Sequence, residues 1–244
     1  MTRFHNTRLV VFLALWLLGR ASHAETRHGN GVVYLEKTIP NGSTLHLVLL
    51  DPKQCTLRVI DNPRGTQTLG AAMEGNGCLA GTNGAYFHPD FTPVGLEISH
   101  GRQIHPLEHG KLISGLVVVN RGKVALLRVA EFKASPSIQE ALQCGPFLID
   151  HGQPVPGLNA TKKAYRTVVL SDGKGGCGLL MAESVTLAEM AEILATPGTI
   201  PEMKIIRALN LDGGSSSAIW VSQPPVYLRE FKRVRNFLGV IPRN

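Results

Sequence analysis

The chain has 244 residues, a formal net charge of +7, 43% apolar residues and 6% aromatic residues. No Lys/Arg run or basic stripe interleaved with aromatics accompanies that charge, which argues against nucleic acid as a partner. Beyond the N-terminal segment no apolar run approaches the ~20 residues of a membrane-spanning helix. About 220 residues then remain, an ordinary size for one domain with a sizeable core. The 26 glycines point to many tight turns or to backbone that closely approaches something.

Residues 1–24 have the three-part layout of a secretory signal peptide: Arg3 and Arg8 without an acid, the apolar run Leu9–Leu18, then Ser22-His23-Ala24 before the cut. Cleavage there removes Arg3, Arg8 and Arg20 and lowers the net charge from +7 to +4. The expected product is periplasmic or secreted, has no membrane span, and is one domain over residues 25–244.

Residues 25–31 are polar and predicted to be unstructured. GVVYLEKTIPNGSTLHLVLLDP predicts two strands around an Asn41-Gly42 turn, and CTLRVID (55–61) a third. TLGAAMEGNG suits a short helix ending at Gly75 or Gly77. CLAGTNGAYF is a strand entering a glycine-bearing turn. Hairpins follow around His100-Gly101 and around Asn120-Arg121-Gly122. In SPSIQEALQC, Ser137 stands three residues before Glu140, a capping box that predicts a short helix. GPFLIDHGQPV predicts a strand and turn, and TKKAYRTVVLSDGKGGCGLLMA two strands joined by a glycine-rich turn.

The clearest helix lies in VTLAEMAEILATPG, with Thr186 as cap and Glu189 at its third position. Leu187, Met190, Ala191 and Leu194 form its apolar face, and Pro197-Gly198 stops it. KIIRALNLDGG is an apolar strand, and RVRNFLGV places Arg233 and Arg235 on one face of the last one. The fold class expected is α+β: a mixed, mostly antiparallel sheet with two or three packed helices.

All four cysteines fall after residue 24, and an even number in an exported chain predicts two disulfides. Sequence proximity favours Cys55–Cys78 and Cys144–Cys177 among the three pairings. No C-x-x-C spacing accompanies them, and zinc is not expected.

Candidate chemistry concentrates in three stretches. Along ALNLDGG, alternation puts Asn210 and Asp212 on one face and Leu209 and Leu211 on the other. Gly213 and Gly214 let successive N–H groups converge into an anion nest, and Ser215, Ser216 and Ser217 add donors. The same residues serve equally well as a tight turn with solvated serines. A nucleophile elbow is excluded because Ala218 stands where G-x-S-x-G needs glycine.

In GTNGAYFHPDF, Asn83 suits a sugar hydroxyl, Tyr86 or Phe87 suits a sugar face, and His88 and Asp90 are titratable neighbours; Phe87 fits a core position better. Arg166 opens AYRTVVL with Thr167, and its fork suits a phosphate, although a lone arginine more commonly pairs with a surface acid.

Taken in order, NGAYF, CGPFLIDHG, RTVV, the TLAEMAEIL helix, ALNLDGGSSS and the closing RNFLGV resemble the phosphodiester glycosidase domain family over about residues 45–241. The serine-rich GGSSS departs from its pattern, where a third glycine is common. The resemblance implies hydrolysis of a small-molecule or polymeric sugar-1-phosphodiester to free sugar and phosphomonoester. It implies a site gathering Asn83, Arg166, Thr167, Asn210, Asp212, Gly213, Gly214 and Ser215, with Tyr86 and Ser216 alongside as substrate contacts.

A phosphomonoester leaving group, with a second pKa of about 6, departs largely unprotonated if cations and N–H donors receive its charge. That removes much of the need for the carboxylate pair of ordinary glycosidases. Arg166 and the Gly213–Ser215 backbone are expected to hold the phosphate, and Asn83 and Asn210 to orient the sugar. Asp212 would act as base or stabilise positive charge at the anomeric carbon. No cofactor is required, and a divalent metal at Asp212 has no support in the sequence. The alternative is a non-catalytic module that binds a glycan or phosphoglycan.

Overall fold

The computed structural model describes residues 24–27 and 31–243, so the expected signal segment lies outside the described residues except for Ala24. Three antiparallel sheets form the body. The largest runs in the order β1 (Ala24–Arg27), β2 (Val32–Thr38), β3 (Thr44–Leu50), β14 (Cys177–Val185), β13 (Ala164–Ser171), β15 (Arg207–Asn210), β11 (Phe147–Asp150) and β12 (Gln153–Pro154). The second is β7 (Arg102–His105), β6 (Glu97–Ser99), β10 (Ile138–Cys144), β8 (Gly115–Asn120) and β9 (Lys123–Arg128). The third is β17 (Val226–Leu228), β16 (Ile219–Val221), β5 (Ala80–Asn83), β18 (Asn236–Pro242) and β4 (Cys55–Asp61).

Two α-helices accompany them, α1 (Leu69–Gly75) and α2 (Leu187–Ala195). This is the α+β, single-domain architecture expected, and every ladder among the described residues is antiparallel.

Strand alternation sorts the large sheet into two apolar faces. Leu148, Val168, Leu170, Leu180 and Ala208 meet Met190, Ala191 and Leu194 of α2. Val169, Leu179, Met181, Leu209 and Leu211 point the other way, into a central core shared with Val117 and Leu142 of the second sheet and Leu57, Leu238 and Val240 of the third. Because both faces are covered, its central strands read as continuous apolar runs. α1 packs Leu69, Ala72 and Met73 on the outer face of the third sheet, against Ile60 and Phe237. The cap on α2 is the predicted one, with Thr186 Oγ1 accepting from Glu189 N–H and Glu189 Oε2 accepting from Thr186 N–H.

Several expectations are corrected. Ala24–Arg27 is a strand paired with β2, not unstructured chain. SPSIQEALQC is not a helix, because Ile138–Cys144 becomes the central strand of the second sheet, paired with both β8 and β6. Its buried run of Glu140 to Cys144 suits a strand covered on both sides, and this tertiary pairing overrides the local capping signal. Arg233 and Arg235 do not share a strand face, since β18 begins at Asn236; Arg235 is buried in an ion pair with Asp61.

No disulfide joins the four cysteines. Cys55, Cys144 and Cys177 belong to the central core, whereas Cys78 packs with α1 beyond the third sheet, which separates the first expected pair. Cys144 and Cys177 lie on different sheets. Burial pushes the Cys78 thiol up to about 11 and Cys177 to about 12.

Two carboxyls are also buried. Glu97 accepts from Asn236 Nδ2 at 2.7 Å, and Glu140 accepts from the N–H groups of Val59 (3.1 Å) and His100 (3.3 Å). Desolvation raises both to about 7 against these hydrogen bonds. The folded state therefore holds more protons than the unfolded chain between about pH 4.5 and 7, so their contribution to stability is full below that window and is lost as pH rises through it. Glu97→Gln is expected to gain roughly 3 kcal/mol relative to the parent chain between pH 4.5 and 7.5. Urea unfolding at the two pH values checks this, and an unchanged difference overturns it.

Candidate active site

The NGAY and LDGG stretches meet at one carboxamide. Asn83 ends β5 and is fully buried. Its Nδ2 donates to Asp212 O at 2.8 Å. Its Oδ1 accepts from Thr167 Oγ1 at 2.7 Å, Ala218 N–H at 3.1 Å and Thr82 Oγ1 at 3.3 Å. Thr167 Oγ1 also lies 3.1 Å from Ser217 Oγ. Asp212 N–H donates to Gly84 O at 3.1 Å, closing the junction from the other side. Gly84 must be glycine here, because a Cβ would fall 2.0 Å from Asn236 Oδ1. Asn83 and Thr167, expected to touch substrate, thus stand behind the site and hold its parts together.

Asn210, the last residue of β15, has the same supporting role. It is buried, and its Nδ2 donates to Tyr86 OH and Gly145 O at 3.0 Å each and to Leu211 O at 2.6 Å. Tyr86 OH in turn donates to Gly145 O at 2.7 Å. Burial, followed by the charges of Cys144 and Asp212, pushes the Tyr86 phenol well above its ordinary range, so it stays protonated.

Asp212 is the carboxyl that reaches open space. It contributes, with Gly213, Ser215 and Ser216, to a cleft of about 610 Å³. Tyr86, Phe87, His88 and Phe91 line the cleft from the loop after β5, and the Phe87 and Phe91 rings stack at 5.2 Å. Lys232 and Arg233 complete it from the segment before β18. That segment is pinned to the serine stretch by Phe231 and Lys232 N–H donating to Ser215 O at 2.8 and 3.1 Å.

Desolvation raises the Asp212 pKa, opposed by the Ser216 hydroxyl, the Gly213 N–H (2.8 Å) and the charge of Lys232. The Gly213 N–H is therefore directed at Asp212 and not at a ligand. Gly214 takes a φ of +64°, which favours glycine and turns the chain into the short 3-10 turn Gly214–Ser216.

Arg166 lies against this turn without entering the cleft. Its Nε donates to Val185 O at 3.0 Å and its Nη2 to Lys162 O, and a Cβ on Gly213 would stand 3.9 Å from its Nη1. Among the described residues no carboxylate pairs with it, and burial lowers its pKa. Its hydrogen bonds go to Lys162 and Val185, while the cations facing the cleft are Lys232 and Arg233. Lys232 and Phe91 gave no signal in the sequence: an exposed lysine in a basic segment and a phenylalanine beyond a turn look like solvated chain. Among the described residues no group of three His, Cys, Asp or Glu side chains is placed to hold a metal.

The model of the phosphodiester glycosidase family matches residues 76–241. The chain is 29% identical over 113 residues to the protein YigE of Escherichia coli K12, a match covering 43% of this chain and 44% of that protein; the chain thus spans less than half the length of this relative. Its fold is similar to the catalytic domain of zebrafish N-acetylglucosamine-1-phosphodiester alpha-N-acetylglucosaminidase auto-inhibited by its pro-peptide, with a TM-score of 0.63 at 15% identity over 92% of this chain and 90% of that one. A Synechocystis structure matches with the same TM-score and identity over 92% of this chain and 64% of the other.

Asn83→Ala removes the acceptor of a buried hydroxyl and a buried N–H at once, and is expected to destabilise the fold by roughly 3 kcal/mol. Lys232→Ala, on the surface of the cleft, is expected to stay within about 0.5 kcal/mol of the parent. Urea unfolding of both variants checks the division between framework and lining; equal losses would contradict it.

Proposed function

The chain belongs to the phosphodiester glycosidase family, and from that premise we propose that it is an exported hydrolase that splits a sugar-1-phosphodiester into free sugar and phosphomonoester. The observation that carries this reading is one half-buried carboxyl, Asp212, sharing a cleft with Lys232 and Arg233 and with no second carboxylate lining it among the described residues. That inventory suits a leaving group that needs its charge received more than it needs a proton. Export rests on the layout of residues 1–24.

In this reading water attacks the anomeric carbon as the C–O bond to phosphate breaks. The bonding pair leaves with the phosphate oxygen, and Lys232 and Arg233 receive the growing negative charge, with the Ser215 hydroxyl as a further donor. Asp212 accepts the proton of the attacking water. Its raised pKa brings it nearer to neutrality, where a base both stays ionised and holds a proton usefully. The aromatic side of the cleft, Tyr86 and Phe87, offers a face for the sugar ring. Asn83, Thr167 and Asn210 act at one remove, by fixing where Asp212 and Tyr86 stand.

A panel of synthetic sugar-1-phosphodiesters tests the reading. Release of sugar by the parent chain is expected, with kcat falling about 10²- to 10⁴-fold in Asp212→Asn. Binding without turnover would instead assign a non-catalytic phosphoglycan module. The profile of kcat/KM is expected to rise with pH through an ionisation above about 3.9, the ordinary aspartate value, and this limb is expected to disappear in Asp212→Asn.

A further inference from the structure

A second cavity, of about 500 Å³, lies at the opposite end of β18 from the cleft. Asn236, at the start of that strand, hydrogen-bonds the Ala85 N–H beside the active site at 2.8 Å, whereas Ile241 and Pro242, at its end, line this cavity. Seven extended residues separate the two by about 20 Å.

The cavity is built from cations. On β4, Thr56 and Arg58 share a face, and their partners across the ladder are Ile241 and Gly239. A Cβ on Gly239 would meet Cys78 Sγ at 2.7 Å, so glycine is what lets Cys78 pack on the face that Arg58 shares. Arg58 Nε is buried and has no hydrogen-bond partner among the described residues.

The hairpin turn of the second sheet adds Arg121, fixed in place because Thr56 Oγ1 donates to Gly122 O at 3.0 Å and Gly122 N–H donates to Gln139 Oε1 at 2.9 Å. Arg243 completes the set, bonded through its guanidinium to Pro52 O and Arg121 O. α1 ends here too, its carbonyl end satisfied by Asn76, whose Nδ2 donates to Ala72 O at 2.9 Å. Among the described residues no carboxylate lines the cavity. Glu140 lies within electrostatic reach of Arg58, but its Oε2 is engaged by the Val59 and His100 N–H groups.

We propose that this cavity is a second, non-catalytic binding site for a phosphate group, held by Arg58, Arg121 and Arg243. Guanidinium forks match phosphate oxygens in pairs, and an unpaired buried Nε–H is a donor already desolvated for such a partner. The phosphate comes either as a free anion or monoester, or as another phosphate along a polymer whose sugar phosphodiester occupies the cleft. The polymer source rests on the proposed function; phosphate binding itself does not.

Calorimetric titration with inorganic phosphate at low salt decides the matter. The parent chain is expected to bind phosphate at this site. The exposed double variant Arg121→Gln/Arg243→Gln is expected to raise its Kd about 10-fold or more, while Lys232→Ala in the cleft leaves it unchanged. Arg58→Gln should show the same loss; if it does not fold, the exposed pair still decides. Hydrolysis of a small sugar-1-phosphodiester should be unchanged in the double variant. A KM that rises severalfold only for a phosphodiester-linked polymer identifies the polymer as the source, and an unchanged polymer KM with the phosphate Kd still raised identifies the free anion. Titrations identical for parent and double variant, or phosphate binding abolished by Lys232→Ala alone, overturn the proposal. Absence of hydrolysis in every form counts against the proposed function and leaves the phosphate titration to judge this site.

Discussion

The Asn83 carboxamide joins the third sheet to the large one, and the position of the candidate site depends on it. Its amide nitrogen holds the Asp212 carbonyl and its oxygen gathers the Thr167 hydroxyl and the Ala218 N–H. Each group is buried and has little access to water, so a missing partner leaves a desolvated donor or acceptor uncompensated. Such a network tolerates little displacement. The backbone on either side of Asp212 is fixed by the fold itself, which is the preorganisation that the proposed charge stabilisation requires.

Around that anchor the molecule separates support from contact. Asn83 and Thr167 are buried within the protein's own hydrogen bonds, Asn210 is held through its Nδ2 while its buried Oδ1 has no partner among the described residues, and Arg166 is tied to the carbonyls of Val185 and Lys162. The open side belongs to Asp212, Ser215, Ser216, Lys232 and Arg233, with the stacked Phe87 and Phe91 rings. Low dielectric behind the carboxyl and cations in front of it act in opposite directions on Asp212. Burial raises its pKa, and Ser216, Gly213 and Lys232 pull it back. Both the proton affinity of this group and the charge of the cleft follow from its position at the boundary between sheet and solvent.

The two basic hollows use the third sheet differently. At one end of β18, Asn236 serves the backbone of the loop that carries Tyr86; at the other, Ile241 and Pro242 border the cavity of Arg58, Arg121 and Arg243. A short rigid strand thus sets the spacing between a cleft with a carboxyl and a cavity without one.

Features whose physics is local were legible along the chain. Asn41-Gly42 and Arg121-Gly122 supply left-handed turn residues, Thr186 and Glu189 close a helix start, and β-branched runs become strands. The acid-glycine-serine stretch was legible as a candidate site, and Asp212 does line a cleft. Long-range packing settled whatever depends on distant partners. Ser137 and Glu140 lost their helix to pairing on both sides of β10, and the cysteines were divided between separate cores and sheets. Asn83 stands in support because burial supplied it with five partners, while Lys232 lines the cleft because Ser215 holds its backbone there. Turn and cap preferences act over a few residues and can be read in order, but burial and hydrogen-bond saturation are set by residues about 80 to 130 positions away, which only folding brings together.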